Sequence, residues 1–287
     1  LEDQGNLAAG YQFGYRLAIL VGSSLALIYA ENFSWSLTYQ LMALIMALNI
    51  ICSIYISSET ENSELVKLNY KQSIIEPIND FFSRFGIKMA SILLLIIATY
   101  RLTDIVMGPM ANPFYIDMGY SLSEIGYVVK VVALIATIIG VFIGGFFIKR
   151  FGLYSSLLIG GLLVMLTNLC FSYAAINEKN LILLASIVAS DSLAAGIVGT
   201  VNITFLTSLV SSKYTGFQYA LLTSLMAFLG KIFGGFSGVL VENFQNLYGF
   251  NYGWMSFYIF TSLLAIPAIL IIFFNKNFFI SKHAKDN

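Results

Sequence analysis

The sequence has little charge, and this shortage excludes a soluble fold. Charged residues make up 10% of the 287 residues, whereas soluble globular domains carry about 25%. A soluble protein of this length would therefore lack a solvated surface. The formal net charge is zero, so no basic excess indicates a nucleic-acid partner.

Metal and thiol chemistry lack their usual ligands. Cys52 and Cys170 lie in separate apolar runs, and the single histidine, His283, lies in the polar C-terminal tail. None of them stands at the spacing of a zinc site or a disulfide framework. The sequence also has no phosphate-binding loop and no G-x-S-x-G nucleophile motif. We therefore expect no cofactor, no metal site and no enzymatic activity.

Long apolar runs dominate instead, since 58% of the residues are hydrophobic. A helix needs about 20 apolar residues to span a bilayer, and lipid does not tolerate unpaired backbone groups. Eight runs meet the length requirement. They cover residues 9–30, 35–56, 89–115, 125–147, 153–175, 181–209, 216–241 and 252–274. The sequence thus predicts an all-α membrane protein with eight transmembrane helices.

The basic residues between the spans predict their orientation. One side of the membrane holds Lys67, Lys71, Arg84, Lys88, Lys149, Arg150, Lys213, Lys276, Lys282 and Lys285. The other side holds only Lys179. Because cytoplasmic loops are enriched in lysine and arginine, we expect both termini and the segment 57–88 in the cytoplasm.

The long polar segment 57–88 divides the chain. We expect residues 1–56 to supply two helices of one unit, residues 89–275 to form a six-helix unit, and residues 276–287 to be a cytoplasmic tail. The last six spans group as three plus three, as in the inverted repeats of transporters, although no residue-level repeat accompanies the grouping.

The second half of the segment 57–88 carries a single apolar stripe at helical spacing. The stripe consists of Ile74, Ile78, Phe81, Phe82 and Phe85. This pattern predicts an amphipathic helix lying at the cytoplasmic interface of the membrane.

Six ionisable residues inside the spans are the main functional signal. They are Arg16, Arg101, Asp104, Lys130, Asp191 and Lys231. Since a central charge costs about 2.5–3.5 kcal/mol on insertion scales, these side chains must face the bundle interior or a wet cavity. They either pair and lock helices together, or the cations bind an anionic substrate while an aspartate carries a proton. Lys130 and Arg16 lie near helix ends and could instead snorkel to the interface.

Several short strings resemble, in order and spacing, the AmpG family of muropeptide permeases in the major facilitator superfamily. They include Gly14-Tyr15-Arg16-Leu17, Tyr100-Arg101-Leu102-Thr103-Asp104, Asn112-Pro113-Phe114-Tyr115 and Glu124-Ile125-Gly126. The family has twelve helices, so the resemblance implies that the chain holds the fifth to twelfth and lacks the first four.

The resemblance implies a function as well. We expect proton-coupled import of anhydro-muramyl peptides across the bacterial inner membrane, with the four missing helices supplied in cis or in trans. Two alternatives stay open: a carrier of another bulky anion, such as a coenzyme A thioester, and a permease remnant that does not transport. The superfamily's loop motif G-x-x-x-D-R-x-G is matched at Gly145, Arg150 and Gly152, but Lys149 stands at the aspartate position.

Glycines at four-residue spacing indicate close helix approach. We expect the first span to pair with the fourth through Gly10/Gly14 and Gly140/Gly144. In the superfamily the eleventh helix meets the second. The seventh span of this chain would therefore present Gly230, Gly234 and Gly238 to a helix that the chain lacks, leaving these glycines open to lipid.

The orientation can be tested by cysteine labelling. We expect single cysteines at Ser63 and Asn246, in a background without Cys52 and Cys170, to react with an impermeant reagent from opposite sides of the membrane. Labelling of both positions from one side would contradict the predicted number of spans.

Overall fold

The computed structural model describes residues 18–19, 21–56 and 71–283, and every regular element in these ranges is helical. Arg16, Gly10, Gly14 and the linker residues 57–70 lie outside the described residues.

Eleven α-helices follow one another along the described chain. They are α1 (Ala26–Asn32), α2 (Trp35–Ile56), α3 (Glu76–Tyr100), α4 (Leu102–Asp117), α5 (Val132–Ala175), α6 (Leu181–Leu209), α7 (Thr215–Gly235), α8 (Ser237–Tyr248), α9 (Phe250–Leu263), α10 (Ile266–Phe274) and α11 (Lys276–His283). Wider π-helical turns at Val21–Leu25, Lys71–Ile75 and Ile125–Val131 lead into α1, α3 and α5, and one turn at Leu122–Glu124 precedes the last of them.

Within the described residues, six helical stretches are long and apolar enough to cross a membrane. They are Trp35–Tyr55, Ser73–Asp117, Leu122–Ala175, Leu181–Leu209, Thr215–Tyr248 and Phe250–Phe274. These stretches agree with the expected all-α membrane protein.

One of these stretches, Leu122–Ala175, folds back on itself at Gly152. Gly144 and Gly160, equidistant from Gly152 along the chain, lie beside Ile197 and Val198 in one turn of α6. The six stretches therefore make seven passes, with 125–147 and 153–175 as separate helices. The first predicted span, 9–30, lies mostly outside the described residues, so the total of eight stays a prediction.

The fold-back depends on a backbone conformation that favours glycine. Gly152 has φ 76° and ψ 166°, in the positive-φ region that side chains with a Cβ rarely adopt. Gly249, between α8 and α9, has nearly the same conformation, with φ 86° and ψ 168°. In the three-plus-three grouping, each glycine joins the second helix of a set to the third. The two three-helix sets therefore share a backbone conformation at this connection, although their sequences show no residue-level repeat.

The buried apolar side chains form two clusters. One lies at the end of the bundle near Gly86 and Gly152 and contains Phe81, Leu93, Ile97, Leu157, Val201, Phe205 and Ile272. The other lies near Gly119 and Gly249 and contains Phe114, Phe171, Val188, Trp254 and Tyr258. We call them the basic-end core and the acidic-end core, after the charges of the adjoining loops.

The apolar stripe of the linker faces the bundle. It lies in the first part of α3, before the chain bends at Gly86 (φ 71°). Phe81 is 5% exposed within the basic-end core, and Phe82 and Phe85 pack against that core. The location of this helix at a membrane surface stays a prediction.

A buried amide joins the same part of α3 to α7. Gln218 is 2% exposed; its Oε1 accepts from Arg84 at 3.0 Å and from the Ser211 backbone at 2.7 Å. Its Nε2 donates to the Pro77 carbonyl at 2.8 Å and to Asp80 at 2.9 Å. All four hydrogen bonds of the amide are made, so they fix the position of the first part of α3 relative to α7.

The first two helices contact the rest of the chain at few points. The side chains of α2 are mostly exposed. The segment leading into α1 meets the start of the fourth span, where Ser24 Oγ donates to the Gly126 carbonyl at 2.7 Å. The expected pairing through Gly140 and Gly144 is wrong, because both glycines pack against the backbone of α6 at Leu193 and Ile197.

The glycines of α7 are also closed off, contrary to expectation. An added Cβ at Gly230 would lie 2.7 Å from the Ile105 side chain, and one at Gly234 would lie 3.0 Å from the Ile105 carbonyl. For Gly230 and Gly234 the prediction of a face open to lipid is therefore wrong, because α7 packs against α4 through them. Gly238, in the first turn of α8, is exposed as expected.

A pair of glycines in α6 provides a test of this close packing. A Cβ at Gly196 would collide with the Thr137 carbonyl, whereas a Cβ at Gly199 would meet nothing within 4 Å. We expect Gly196→Ala to destabilise the bundle by about 1–3 kcal/mol through overpacking. Gly199→Ala should be neutral or stabilising by up to about 1 kcal/mol from helix propensity.

Thermal unfolding of both variants in detergent measures the difference. Equal melting temperatures would contradict the close approach of α5 and α6.

Candidate functional site

A polar layer separates the two apolar cores at mid-depth of the bundle. Neither core includes residues 101–106, 165–170, 189–192 or 259–267. These four gaps contain Arg101, Thr103, Asp104, Thr167, Asn168, Asp191, Ser192, Thr261 and Ser262. Because the gaps occur at corresponding depth in four packed passes, the polar side chains meet in one layer.

Arg101 and Asp104 form an ion pair in this layer. Arg101 Nε lies 3.0 Å from Asp104 Oδ2, and the two side chains are 26% and 20% exposed. The atoms are at ion-pair distance, but their orientation does not make a hydrogen bond, so each remains unsatisfied as donor or acceptor. The helix also ends and restarts here, since Arg101 itself has φ −102° and ψ 7°. The pair is only partly buried, so a competing ligand can reach it.

Asp191 lies across the layer on α6. Its Oδ1 accepts from Thr167 Oγ1 at 2.9 Å. Asp191 and Asp104 are close enough to repel each other when both are ionised. Among the described carboxylates, Arg101 is at ion-pair distance from Asp104 alone.

The remaining contacts of the layer hold α5 to the α9 segment. Thr261 Oγ1 donates to Asn168 Oδ1 at 2.9 Å, and both side chains are fully buried. Ser262 Oγ donates to the Met165 carbonyl at 2.9 Å. Since a buried polar group needs a partner, these bonds keep the two helices in register.

Several buried polar atoms of the described chain have no hydrogen-bond partner. Four of them are in or beside the layer: Arg101 Nε, Thr103 Oγ1, Asp104 Oδ2 and the Tyr258 hydroxyl. An unsatisfied buried group costs about 1–3 kcal/mol. Natural proteins place such groups where water, an ion or a ligand binds.

Lys130 lies nearer the acidic end and contacts the other end of α4. Its Nζ donates to Asn112 Oδ1 at 3.0 Å. Within the described ranges it has no carboxylate partner. Gly108, between Asn112 and Asp104 on α4, has open space where a Cβ would stand. Gly108 and Asn112 leave one side of α4 exposed between Arg101 and Lys130, and we call this side the groove.

Lys231 lies beside this groove on α7. It is exposed, while its neighbour Gly230 packs against Ile105. The exposed part of α7 has two different sides. One carries Ala220, Ser224, Lys231 and Gly235, and the other carries Leu221, Phe228 and Ile232. Lys231 makes the first of these sides unsuited to lipid, because a charge at membrane depth is costly.

The structure brings together only part of the predicted set. Arg101, Asp104 and Asp191 share the polar layer, Lys130 and Lys231 lie along the open side of α4, and Arg16 is outside the described residues. Sequence reasoning missed Thr167, Asn168, Thr261 and Tyr258. The available signal was the pair of adjacent polar residues at 167–168 and at 261–262 within apolar runs.

Long apolar helices around a charged layer define a multi-pass membrane protein with a polar interior, the construction of a solute transporter. Among the described residues, no group of three His, Cys, Asp or Glu could hold a metal ion. Residues 2–235 match the family model of the Major Facilitator Superfamily. The chain therefore belongs to the Major Facilitator Superfamily, a family of transporters and not of enzymes.

Individual relatives carry AmpG names. The candidate transporter AmpG 4 of Rickettsia conorii is 31% identical over 283 residues, which are 95% of this chain and 65% of that protein. AmpG 1 of Rickettsia bellii is 28% identical over 281 residues, 96% of this chain and 67% of that protein. The anhydromuropeptide permease of Escherichia coli K12 is 31% identical over 274 residues, 94% of this chain and 53% of that protein. The chain thus spans between half and two-thirds of the length of these relatives.

A double-mutant cycle measures how far Arg101 and Asp104 depend on each other. We expect Arg101→Gln and Asp104→Asn each to destabilise the bundle by about 1–3 kcal/mol, because each leaves a partly buried charge unpaired. The double variant should recover most of this loss. Thermal unfolding in detergent provides the values, and strictly additive losses would show that the ion pair contributes nothing.

Proposed function

We propose that the chain is the substrate- and proton-binding part of a secondary transporter that imports muropeptides together with protons. The family supports transport, and the name of the Escherichia coli relative supports an anhydromuropeptide as the substrate. The observation that carries the proposal is the Arg101–Asp104 ion pair, which is partly exposed within the polar layer.

Competition for Arg101 supplies the coupling. An anionic group of the substrate binds the Arg101 guanidinium and draws it away from Asp104. A carboxylate that loses a nearby cation binds a proton more readily, so Asp104 takes up a proton as the substrate binds. Substrate and proton then cross together, and release of one favours release of the other by linkage.

Lys130 and Lys231 add two further positive charges along the groove, where anionic groups of a substrate can bind. Both are cations without an acidic partner in the described parts of the chain, and a cation at membrane depth is stabilised by a negative charge. We assign them to the recognition of further anionic groups on the substrate, with Asn112 orienting Lys130. Arg16 is proposed for the same role from the sequence alone.

The groove forms only one wall of a pathway. This wall consists of α4, Lys130 and the small residues of α7. No helix among the described residues lies opposite it. We propose that residues 89–275 are one six-helix half and that residues 1–56 belong to the other half. Four further helices, in cis or in trans, complete that half and close the pathway.

The basic loops support an orientation in the bacterial inner membrane with both termini in the cytoplasm. In the structure the loops at Gly86, at Gly152 and between α6 and α7 meet at one end, through contacts such as Arg84 with the Leu209 carbonyl. By the positive-inside rule, we propose that this end faces the cytoplasm.

Another bulky anion, such as a coenzyme A thioester, would use the same cations. A remnant without transport activity would keep the ion pair but show no uptake. Direct transport measurements with each substrate therefore distinguish the three hypotheses.

Uptake of labelled anhydromuropeptide tests the proposal. We expect no uptake by the chain alone in proteoliposomes, and uptake that increases with an inward proton gradient when the four remaining helices are co-expressed. Asp104→Asn should abolish the dependence on the gradient. Glu242→Gln is a matched control, since Glu242 is exposed and outside the layer.

Saturable uptake by the chain alone would contradict the incomplete pathway. Uptake by Asp104→Asn with its proton dependence intact would remove Asp104 from the coupling step.

A further inference from the structure

We propose that Asp191, Thr167 and Tyr258 form a second proton site that holds a resident proton, distinct from the transported proton of Asp104. The inference rests on the proposed function for its role in transport, but its geometry belongs to the described chain alone.

The charges of the layer require such a proton. The titratable groups near Asp191 are Asp104 and Tyr115 from α4 and Tyr258 from α9, and the neutral Thr167 from α5 contacts it. With both aspartates ionised, the layer holds one arginine and two carboxylates and carries a net charge of about −1 at membrane depth. One bound proton makes the layer neutral.

The proton belongs on Asp191 and not on Asp104 in the resting layer. Asp104 has Arg101 within 3.0 Å, which stabilises its ionised form, whereas no cation of the described residues lies at ion-pair distance from Asp191. Its one side-chain partner is the neutral hydroxyl of Thr167. A neutral carboxylic acid is compatible with this environment, because the Thr167 hydroxyl can still donate to its carbonyl oxygen.

Tyr258 is the second element of the site. Its side chain is fully buried, and its hydroxyl has no hydrogen-bond partner. Its ring is enclosed by Phe114 at 5.0 Å, Phe171 at 5.2 Å and Trp254 at 6.1 Å between ring centroids. These rings offer no acceptor for the hydroxyl. Phe171 stands one helical turn beyond Thr167, so the ring of Tyr258 stacks beside the Thr167–Asp191 contact.

A buried hydroxyl without a partner reduces stability, so phenylalanine would be the better residue if packing alone mattered. The hydroxyl is explained if it serves the Asp191 carboxyl, through a water-mediated hydrogen bond of the kind that joins nearby groups not in direct contact.

The two sites then have separate tasks. When a substrate anion takes Arg101, the layer gains one negative charge, and Asp104 must bind a proton to restore neutrality. Asp191 is already protonated and does not compete for it. One proton moves per anionic group bound at Arg101, and the step transfers no electrons.

Infrared spectroscopy of the purified full chain in detergent tests the site without any transport assay. Protonated carboxyl groups give a C=O stretching band that ionised carboxylates lack. At neutral pH we expect this band in the unmodified chain and its loss in Asp191→Asn. A band that persists in Asp191→Asn would overturn the assignment, as would no band in the unmodified chain.

Tyr258→Phe tests the role of the hydroxyl. We expect the Asp191 band to shift to higher frequency, because its carboxyl loses a hydrogen bond, while the melting temperature stays equal or rises. An unshifted band in a folded variant would mean that the hydroxyl does not serve Asp191, and this would overturn its part in the site. Thr167→Val should also shift the band, and Thr167→Ser should restore it. These two variants test the site independently if Tyr258→Phe fails to fold.

The outcome is separable from that of the proposed function. Loss of the Asp191 band would leave the uptake experiment on Asp104 unaffected, and absence of muropeptide uptake would leave the infrared assignment unaffected.

Discussion

The cost of placing charge at membrane depth governs this structure. Arg101, Asp104 and Asp191 lie in one layer because an isolated charge in any of these helices would be too expensive. The two apolar cores end where this layer begins, and threonine, serine and asparagine side chains fill the remaining positions between helices. The layer therefore lacks the apolar packing of the two cores, and it contains the side chains that can bind ions and protons.

Close helix contacts make up for that weakness. Gly140 and Gly144 bring α5 against the backbone of α6, while Gly230 and Gly234 bring α7 against α4. In lipid, where no hydrophobic driving force joins helices, such contacts supply much of the stability. They lie at or near the depth of the charges, so they hold the backbones on either side of the polar layer at a fixed distance.

The sequence was informative about elements and less so about partners. Apolar run lengths predict the spans, and the three-residue spacing of Arg101 and Asp104 places them on one helix face. A small-residue spacing shows that some helix approaches closely but not which one, so Gly140 and Gly230 were assigned to the wrong neighbours. Thr167 and Thr261 escaped notice because hydroxyl residues in membrane helices commonly bond to their own backbone. Only the packing of α5 against α6 and α9 reveals that these two face Asp191 and Asn168.

The Gln218 amide has a mechanical consequence. With all four of its hydrogen bonds made to α3 and to the turn before α7, the amide cannot keep them if either helix shifts by itself. A shift of the first part of α3 is therefore coupled to a shift of α7. Since α7 carries Lys231 and packs against the helix of Asp104, such a shift reaches the groove through helix contacts.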